Sequence, residues 1–172
     1  MRKVFGFLFL SIFLLLLIAC PVSYKFSIDE PSVMVDHRIF GKYSDEHGEI
    51  YGRVDIVKSN ILIAQKSKME YDISVDYIST DSKESFSEKY VGHVSIVENQ
   101  SFLNVRSSTF GMETDTCFYI YKADLNENDI RLTPVNNCWI SRVKNSSELK
   151  SFLGRNLSNE LLYGTEILIK RR

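Results

Sequence analysis

The residues of this 172-residue chain that most readily carry out chemistry are three cysteines and three histidines. His37, His47 and His93 lie far apart in the sequence, without the short spacing that lets two histidines bind one metal ion. Eight scattered glycines form no phosphate-binding loop. The sequence therefore predicts no metal site, no cofactor and no catalytic centre, and we expect that the protein is not an enzyme.

Cys20 directly follows the most apolar stretch of the chain. Arg2 and Lys3 precede an apolar run over residues 4–19. As a helix this run would be about 24 Å long, against a bilayer hydrocarbon core of about 30 Å. A basic start and a short apolar run are typical of a secretory signal. Three interpretations fit: a retained signal anchor, a cleaved signal that leaves Cys20 as a plain thiol, and a signal that ends at a lipid-attachment residue.

The third interpretation rests on Leu17, Ile18, Ala19 and Cys20, which resemble the bacterial lipobox. In that motif an aliphatic, a variable and a small residue precede an obligatory cysteine. The resemblance implies diacylglyceryl transfer to the Cys20 thiol and cleavage between Ala19 and Cys20. Two or more acyl chains, at about 0.8 kcal/mol per buried methylene, anchor a protein firmly to membrane lipid. Pro21 stands where an inner-membrane retention signal would have aspartate, which favours the outer membrane if the host is Gram-negative.

The composition of the predicted mature chain excludes one class of partner. Loss of Arg2 and Lys3 reduces the 21 basic side chains to 19, against 22 acidic ones. Nucleic-acid-binding proteins normally have a basic excess, so we expect no nucleic-acid partner. About 150 residues are enough for one domain with a core. We predict a signal peptide over residues 1–19, a lipidated cysteine and tether over residues 20–36, and one β-rich domain over residues 37–172.

Lipidation of Cys20 would leave Cys117 and Cys138 as the other two cysteines. An even number of cysteines in an exported chain is typical of a disulfide. A bond between these two would close a loop of about 22 residues, worth roughly 3 kcal/mol in the chain-entropy model. The alternative is a pair of buried free thiols.

Alternation of apolar and polar residues predicts that the domain is mainly β. Residues 69–78 show it most clearly, because Met69, Tyr71, Ile73, Val75 and Tyr77 fall on one face and polar residues on the other. The other predicted strands are residues 48–57, a hairpin of residues 89–97 and 101–107, a hairpin of residues 116–123 and 129–135, and residues 165–171.

One helix is predicted shortly before the last strand. Asn145 and Glu148 form a pair like a capping box, in which each side chain bonds to the backbone near the other. Apolar residues then recur at helical spacing, at Leu149, Phe152, Leu153 and Leu157. These elements predict a small antiparallel β-barrel or curled sheet with one C-terminal helix before the last strand.

Gly41, Lys42 and Tyr43 resemble the opening of lipocalin-like small barrels. There a Gly-x-Trp motif starts the first strand and its aromatic ring plugs the closed end of the barrel, whereas this chain has a tyrosine. Residues 90–97, 102–105 and 147–170 also resemble, in pattern and order, a broad class of uncharacterised bacterial lipoproteins. That class implies no established activity, whereas the lipocalin-like opening implies a carrier of a small apolar ligand.

Two functions therefore remain open. The first is a lipid-anchored, non-enzymatic module that binds an envelope protein or another envelope component; the alternative is a lipocalin-like carrier of a small apolar ligand. A carrier needs an apolar cavity of about 300 Å³ or more, whereas a partner-binding module would have a filled interior and a flat apolar patch. Apolar residues on both faces of residues 118–121 indicate a strand that is either buried twice or lines a cavity with one face.

Overall fold

The computed structural model describes residues 25–45, 56–79, 85–108, 118–136 and 143–172. Eight antiparallel strands form a closed barrel in which each strand pairs with its neighbours along the chain and β8 pairs with β1. The strands are β1 Gly41–Asp45, β2 Ile56–Gln65, β3 Tyr71–Ser79, β4 Ser85–Val97, β5 Gln100–Ser107, β6 Phe118–Leu125, β7 Asp129–Pro134 and β8 Ile167–Arg171. The helix α1, Ser146–Arg155, lies between β7 and β8. The mainly β prediction is confirmed, and the sheet is a closed barrel.

The period-two pattern predicted for residues 69–78 is confirmed in β3. Its inward side chains, Tyr71, Ile73, Val75 and Tyr77, are all buried, and the residues between them are exposed or half-buried. Met69, predicted on the same face, precedes the strand and is exposed. Strict alternation is therefore limited to the residues that pair with β2 and β4.

Both predicted hairpins are present. The β4–β5 hairpin turns at Glu98 and Asn99, whose φ angles are 49° and 69°. Positive φ at both turn residues gives the type I′ geometry, which matches the twist of the paired strands. The β6–β7 hairpin turns at residues 126–128, between the two strands that the sequence predicted.

Strand β2 differs from the prediction. The strand predicted over residues 48–57 overlaps β2 only at Ile56 and Val57, and the rest of that stretch lies outside the described residues. The remainder of β2 was missed because its polarity pattern is mixed. Ser59 faces inward and is 0% exposed, whereas Leu62 faces outward and is 45% exposed.

Helix α1 begins as predicted at Asn145. The Asn145 side chain accepts a hydrogen bond from the Glu148 backbone N–H, with an N–O distance of 2.9 Å. The Glu148 carboxylate accepts one from the Lys144 N–H at 3.0 Å, one residue before the N–H that a capping box would use. The bond to the Glu148 N–H satisfies a backbone donor that the first helical turn leaves unpaired, and the bond from Lys144 fixes the residue before the cap.

The described residues form two hydrophobic cores, one on each side of the barrel wall. The interior core consists of inward side chains from all eight strands together with Val35 and Ile39. The exterior core lies between the outer face of the sheet and α1, and there Leu149 and Leu153 are fully buried against Phe102 and Ile120. Burying one such leucine contributes roughly 1.5–3 kcal/mol, so the helix is held mainly by this apolar face.

The segment before the barrel differs from the tether predicted over residues 20–36. Residues 25–36 are described, and within them Ile28 and Val35 are 1% and 6% exposed. Ile28 belongs to the exterior core and Val35 to the interior core. The Val35 N–H also donates to the carbonyl oxygen of Lys68 at 3.0 Å. This N-terminal segment, residues 25–36, is therefore part of the folded body.

The barrel has two distinct ends. The closed end comprises the 3₁₀ turn His37–Ile39 and the short connections at residues 66–70, 98–99 and 126–128. The opposite end, called the loop end, is where β1, β3 and β5 finish and β2, β4 and β6 begin. The connections between these strands, residues 46–55, 80–84 and 109–117, lie outside the described residues.

The β1–β8 seam that closes the barrel is its shortest. Among the described residues it contains two pairs, Tyr43 with Arg171 and Ser44 with Lys170. The other seven seams contain between four and nine pairs each. Closure therefore depends strongly on side-chain contacts around Tyr43 and Arg171.

Candidate ligand-binding site

A cavity of about 350 Å³ lies inside the barrel. Much of its wall consists of inward aliphatic side chains, among them Ile61, Ile63, Ile73, Val75, Leu103 and Val105. The volume is at the lower end of the range for small-molecule sites, roughly 300–1,000 Å³. At about 30 Å³ per molecule in the liquid, it corresponds to roughly a dozen waters. The space suits one small molecule.

Strand β6 separates the cavity from the exterior core. Tyr119 and Tyr121 line the cavity, while Phe118 and Ile120 pack on the other face in the exterior core beneath α1. The sequence left open whether this strand is buried on both faces or lines a cavity. Both descriptions apply, because one face packs against the helix and the other faces the cavity.

Polar side chains of β3 and β4 meet on the cavity wall towards the loop end. The Tyr90 hydroxyl donates a hydrogen bond to Oε2 of Glu88. The hydroxyls of Tyr77 and Tyr90 are 3.2 Å apart and form a second hydrogen bond. Burial, together with the bonds to Glu88 and Tyr77, raises the pKa of the Tyr90 hydroxyl. Tyr90 therefore stays protonated and acts as a donor.

Tyr121 places another hydroxyl on the cavity wall. Its side chain is buried, and burial raises the pKa of its hydroxyl. No hydrogen bond to this hydroxyl occurs within the part of the chain that the structure describes. Tyr121 thus offers a neutral polar group to a molecule in the cavity.

The motif Gly41-Lys42-Tyr43 begins β1 at the closed end. Gly41 has a φ of +152°, and a Cβ there would lie 3.0 Å from Nη2 of Arg171. Tyr43 is fully buried, and its hydroxyl donates to the carbonyl oxygen of Ile39 at 2.8 Å. Lys42 is exposed on the outer surface. The structure therefore brings Gly41 and Tyr43 of the predicted motif into the plug, and not the Lys42 side chain.

Arg171 of β8 completes this plug. Its guanidinium carbon lies 5.9 Å from the centre of the Tyr43 ring, within the range of a cation–π contact. Its N–H groups donate to the carbonyl oxygens of Arg38 at 3.2 Å, of Glu127 at 2.8 Å, and of Phe40. One side chain thereby joins the 3₁₀ turn, the start of β1 and the β6–β7 turn.

A polar network on the outer face of β4 and β5 binds the N-terminal segment. Asn104 is fully buried, accepts a hydrogen bond from the Ile28 N–H at 2.9 Å, and donates to the Ser95 hydroxyl at 2.8 Å. Ser95 donates in turn to the carboxylate of Asp29, which also bonds to Nζ of Lys150 at 2.7 Å. The network ties the segment both to the barrel and to α1.

His93 takes part in the same contact. Its Nε2 lies 2.9 Å from the backbone oxygen of Asp29, and its ring meets Phe118 edge-on at 6.4 Å. Burial lowers the pKa of His93, which favours the neutral ring. The His93 ring binds the backbone oxygen of Asp29, and the Ser95 hydroxyl binds its carboxylate. These contacts hold the N-terminal segment against the barrel, so we assign His93 and Ser95 a structural role.

The remaining site residues predicted from the sequence lie outside the described residues. They are Cys20 with Leu17, Ile18 and Ala19, and the cysteines Cys117 and Cys138. Lipidation and the disulfide stay predictions. The cavity residues Glu88 and Tyr90 were missed, because the residues around Glu88 do not alternate between apolar and polar.

No group of three or more histidine, cysteine, aspartate or glutamate side chains within the described ranges is placed to bind one metal ion. No helix in these ranges is long and apolar enough to cross a bilayer. Comparison of the chain with protein-family models, with curated proteins and with solved structures finds no significant match.

Proposed function

We propose that this protein binds a small apolar ligand inside its barrel while lipid on Cys20 holds it at a bacterial membrane. The observation that supports ligand binding is the apolar cavity of about 350 Å³. Protein interiors are packed so closely that voids larger than one water molecule are few. A void this large forfeits packing contacts, and a bound ligand would restore them.

The wall of the cavity supports binding rather than a reaction. Its polar groups are tyrosine hydroxyls and the Glu88 carboxylate, and Tyr90 bonds to both Tyr77 and Glu88. The barrel is formed before the ligand arrives, so little chain has to be ordered on binding. The proposed activity is therefore carriage or sensing of the ligand, without chemical change.

The described surface gives less support to the envelope-partner hypothesis. A docking face for a protein partner is typically one contiguous apolar patch. The exposed large apolar side chains of the described chain are Met34, Leu62, Met69, Ile96 and Leu161. Met34 and Ile96 line one surface groove, but most of the other residues that line it are polar. Ligand binding is for this reason the function that we favour.

The position of the N-terminal segment limits how far the proposed anchor lets the barrel move. Only residues 20–24 lie between the proposed lipid and the first described residue. From Cys20 to Ser27 the chain spans seven residues, at most about 25 Å when fully extended. An anchored barrel would remain beside the membrane, where apolar molecules concentrate.

Ligand binding can be measured with the uncharged fluorophore N-phenyl-1-naphthylamine and residues 21–172, which include every described residue. We expect its fluorescence to rise on binding. Val105→Trp, which places an indole in the cavity, is expected to weaken binding at least tenfold. Leu62→Trp adds the same indole on the outer surface and should change affinity less than twofold. Absence of binding to the unsubstituted barrel, or equal affinity of a folded Val105→Trp variant, would contradict the proposal.

Anchoring is tested by metabolic labelling of the full-length chain with palmitate in a bacterial host. Cys20→Ala is expected to abolish labelling and to remove the mature protein from the membrane fraction, because the acyl chains have no other attachment residue in the proposed scheme. Cys117→Ala serves as the matched control and should retain the label. Labelling that persists in the Cys20→Ala variant would refute lipid attachment at this residue.

A further inference from the structure

Glu88 gives the cavity an acidic character. It is the single charged side chain among the described residues that line the cavity, where the other polar side chains are tyrosines. Glu88 lies on β4 opposite Val75 of β3 and is half-buried. The lining thus combines an apolar body with one carboxylate towards the loop end.

The hydrogen bonds of this group all run towards the carboxylate. A tyrosine hydroxyl has one hydrogen, and Tyr90 donates its hydrogen to Glu88. In the 3.2 Å contact between the two hydroxyls, Tyr77 must therefore be the donor and Tyr90 the acceptor. Both hydrogens are used, so Tyr77, Tyr90 and Glu88 together leave only acceptor capacity to a neighbouring molecule at this end of the cavity.

From this arrangement we infer that the polar end of the ligand is a hydrogen-bond donor to Glu88, best supplied by a primary alkylamine. The inference rests on the proposed ligand binding and specifies its chemistry. Any donor to the Glu88 carboxylate makes a charge-assisted hydrogen bond, but only an ammonium group adds the attraction between two opposite charges. A neutral alcohol would donate one weaker bond.

The same arrangement disfavours a fatty-acid carboxylate. Such a group brings only acceptors and a second negative charge next to Glu88, in surroundings where charges interact more strongly than in water. No lysine, arginine or histidine among the described lining residues would compensate this charge. We therefore expect that apolar molecules of equal length bind the cavity with affinities that depend on their polar ends.

Three ligands with the same eight-carbon chain test this preference: octylamine, octanol and octanoate. Each is used to displace N-phenyl-1-naphthylamine from the barrel at neutral pH. We expect octylamine to bind about tenfold more tightly than octanol, and octanoate to bind most weakly. Glu88→Gln should weaken octylamine binding about tenfold and leave octanol within threefold. Glu160→Gln, a change of an exposed glutamate outside the barrel, is the matched control and should preserve all three affinities.

The outcomes separate this inference from the proposed function. If octanoate binds the unsubstituted barrel as tightly as octylamine, the donor preference is wrong and ligand binding stands. The same holds if octylamine binds the folded Glu88→Gln variant with unchanged affinity. If neither the fluorophore nor any of the three ligands binds, both the inference and the proposed function are wrong.

Discussion

Replacement of Tyr43 by alanine is expected to lower the free energy of unfolding by about 3–5 kcal/mol, the usual cost of truncating a buried aromatic side chain. Tyr43 is fully buried, lies under the guanidinium of Arg171, and bonds to the Ile39 carbonyl oxygen. All three contacts would be lost together. Since small domains are typically stable by about 5–15 kcal/mol, this one side chain would account for a large share.

Tyr43→Phe is the matched control for this prediction. It keeps the ring beneath Arg171 and removes only the hydroxyl, so it should cost about 1 kcal/mol, the typical net value of one hydrogen bond. Equilibrium unfolding in urea measures both variants, with a much larger fall in the midpoint for alanine than for phenylalanine. Equal midpoints for the two variants, or a loss below about 1 kcal/mol for alanine, would show that the ring does not stabilise the closed end.

Asn104→Ala is expected to cost roughly 2–4 kcal/mol, because it leaves the Ile28 N–H without its acceptor and the Ser95 hydroxyl without its donor. An unsatisfied buried polar group costs about 1–3 kcal/mol, and Asn104 is itself fully buried. The loss should also loosen the N-terminal segment. Hydrogen exchange at the Ile28 amide is therefore expected to become much faster, in addition to the fall in the urea midpoint.

Asn126→Ala is the control for this second prediction. Asn126 lies in the exposed β6–β7 turn, and its side-chain amide bonds only to the Asp124 carboxylate, at 3.2 Å, among the described residues. Its removal should cost less than about 0.5 kcal/mol, as surface substitutions usually do. If Asn104→Ala were as mild as this control, or left exchange at Ile28 unchanged, the polar network would not be what secures the segment.

The parts of the fold that the sequence predicted depend on neighbouring residues. The hairpin turn at Glu98 and Asn99 and the cap at Asn145 are determined within a few positions along the chain. The alternation in β3 likewise extends over one strand. Such local signals can be recognised in a single sequence, because the alternation repeats along the strand and the turn and cap residues have known conformational preferences.

The contacts of residues 25–36 could not be predicted in this way. Ile28 bonds to Asn104, 76 positions later, and Asp29 bonds to Lys150, 121 positions later. Contacts over such separations impose no period on the segment itself. Its two buried apolar residues, Ile28 and Val35, belong to different cores, so even their spacing does not indicate one buried face.

A cavity was the criterion that distinguished a carrier from a partner-binding module, but the sequence did not predict that one exists. The volume of the cavity depends on how all eight strands close, and no single strand determines it. Glu88 illustrates the difficulty. In the sequence it stands beside Lys89, and a charged pair of this kind suggests the solvent edge of a strand. In the barrel the two side chains lie on opposite faces, and closure turns the face of Glu88 towards the ligand space.

The short β1–β8 seam also has a consequence for the order in which the strands pair during folding. Arg171 and its acceptor Arg38 are 133 positions apart, and β8 is the last strand along the chain. Because pairing over long separations forms slowly, we expect the hairpins to form first and the seam last. Until then β1 presents an unpaired edge, of the kind that invites pairing with other chains. If the chain is exported as proposed, it would cross the membrane before its barrel closes, and the unpaired edge of β1 would then be exposed to other chains on the far side.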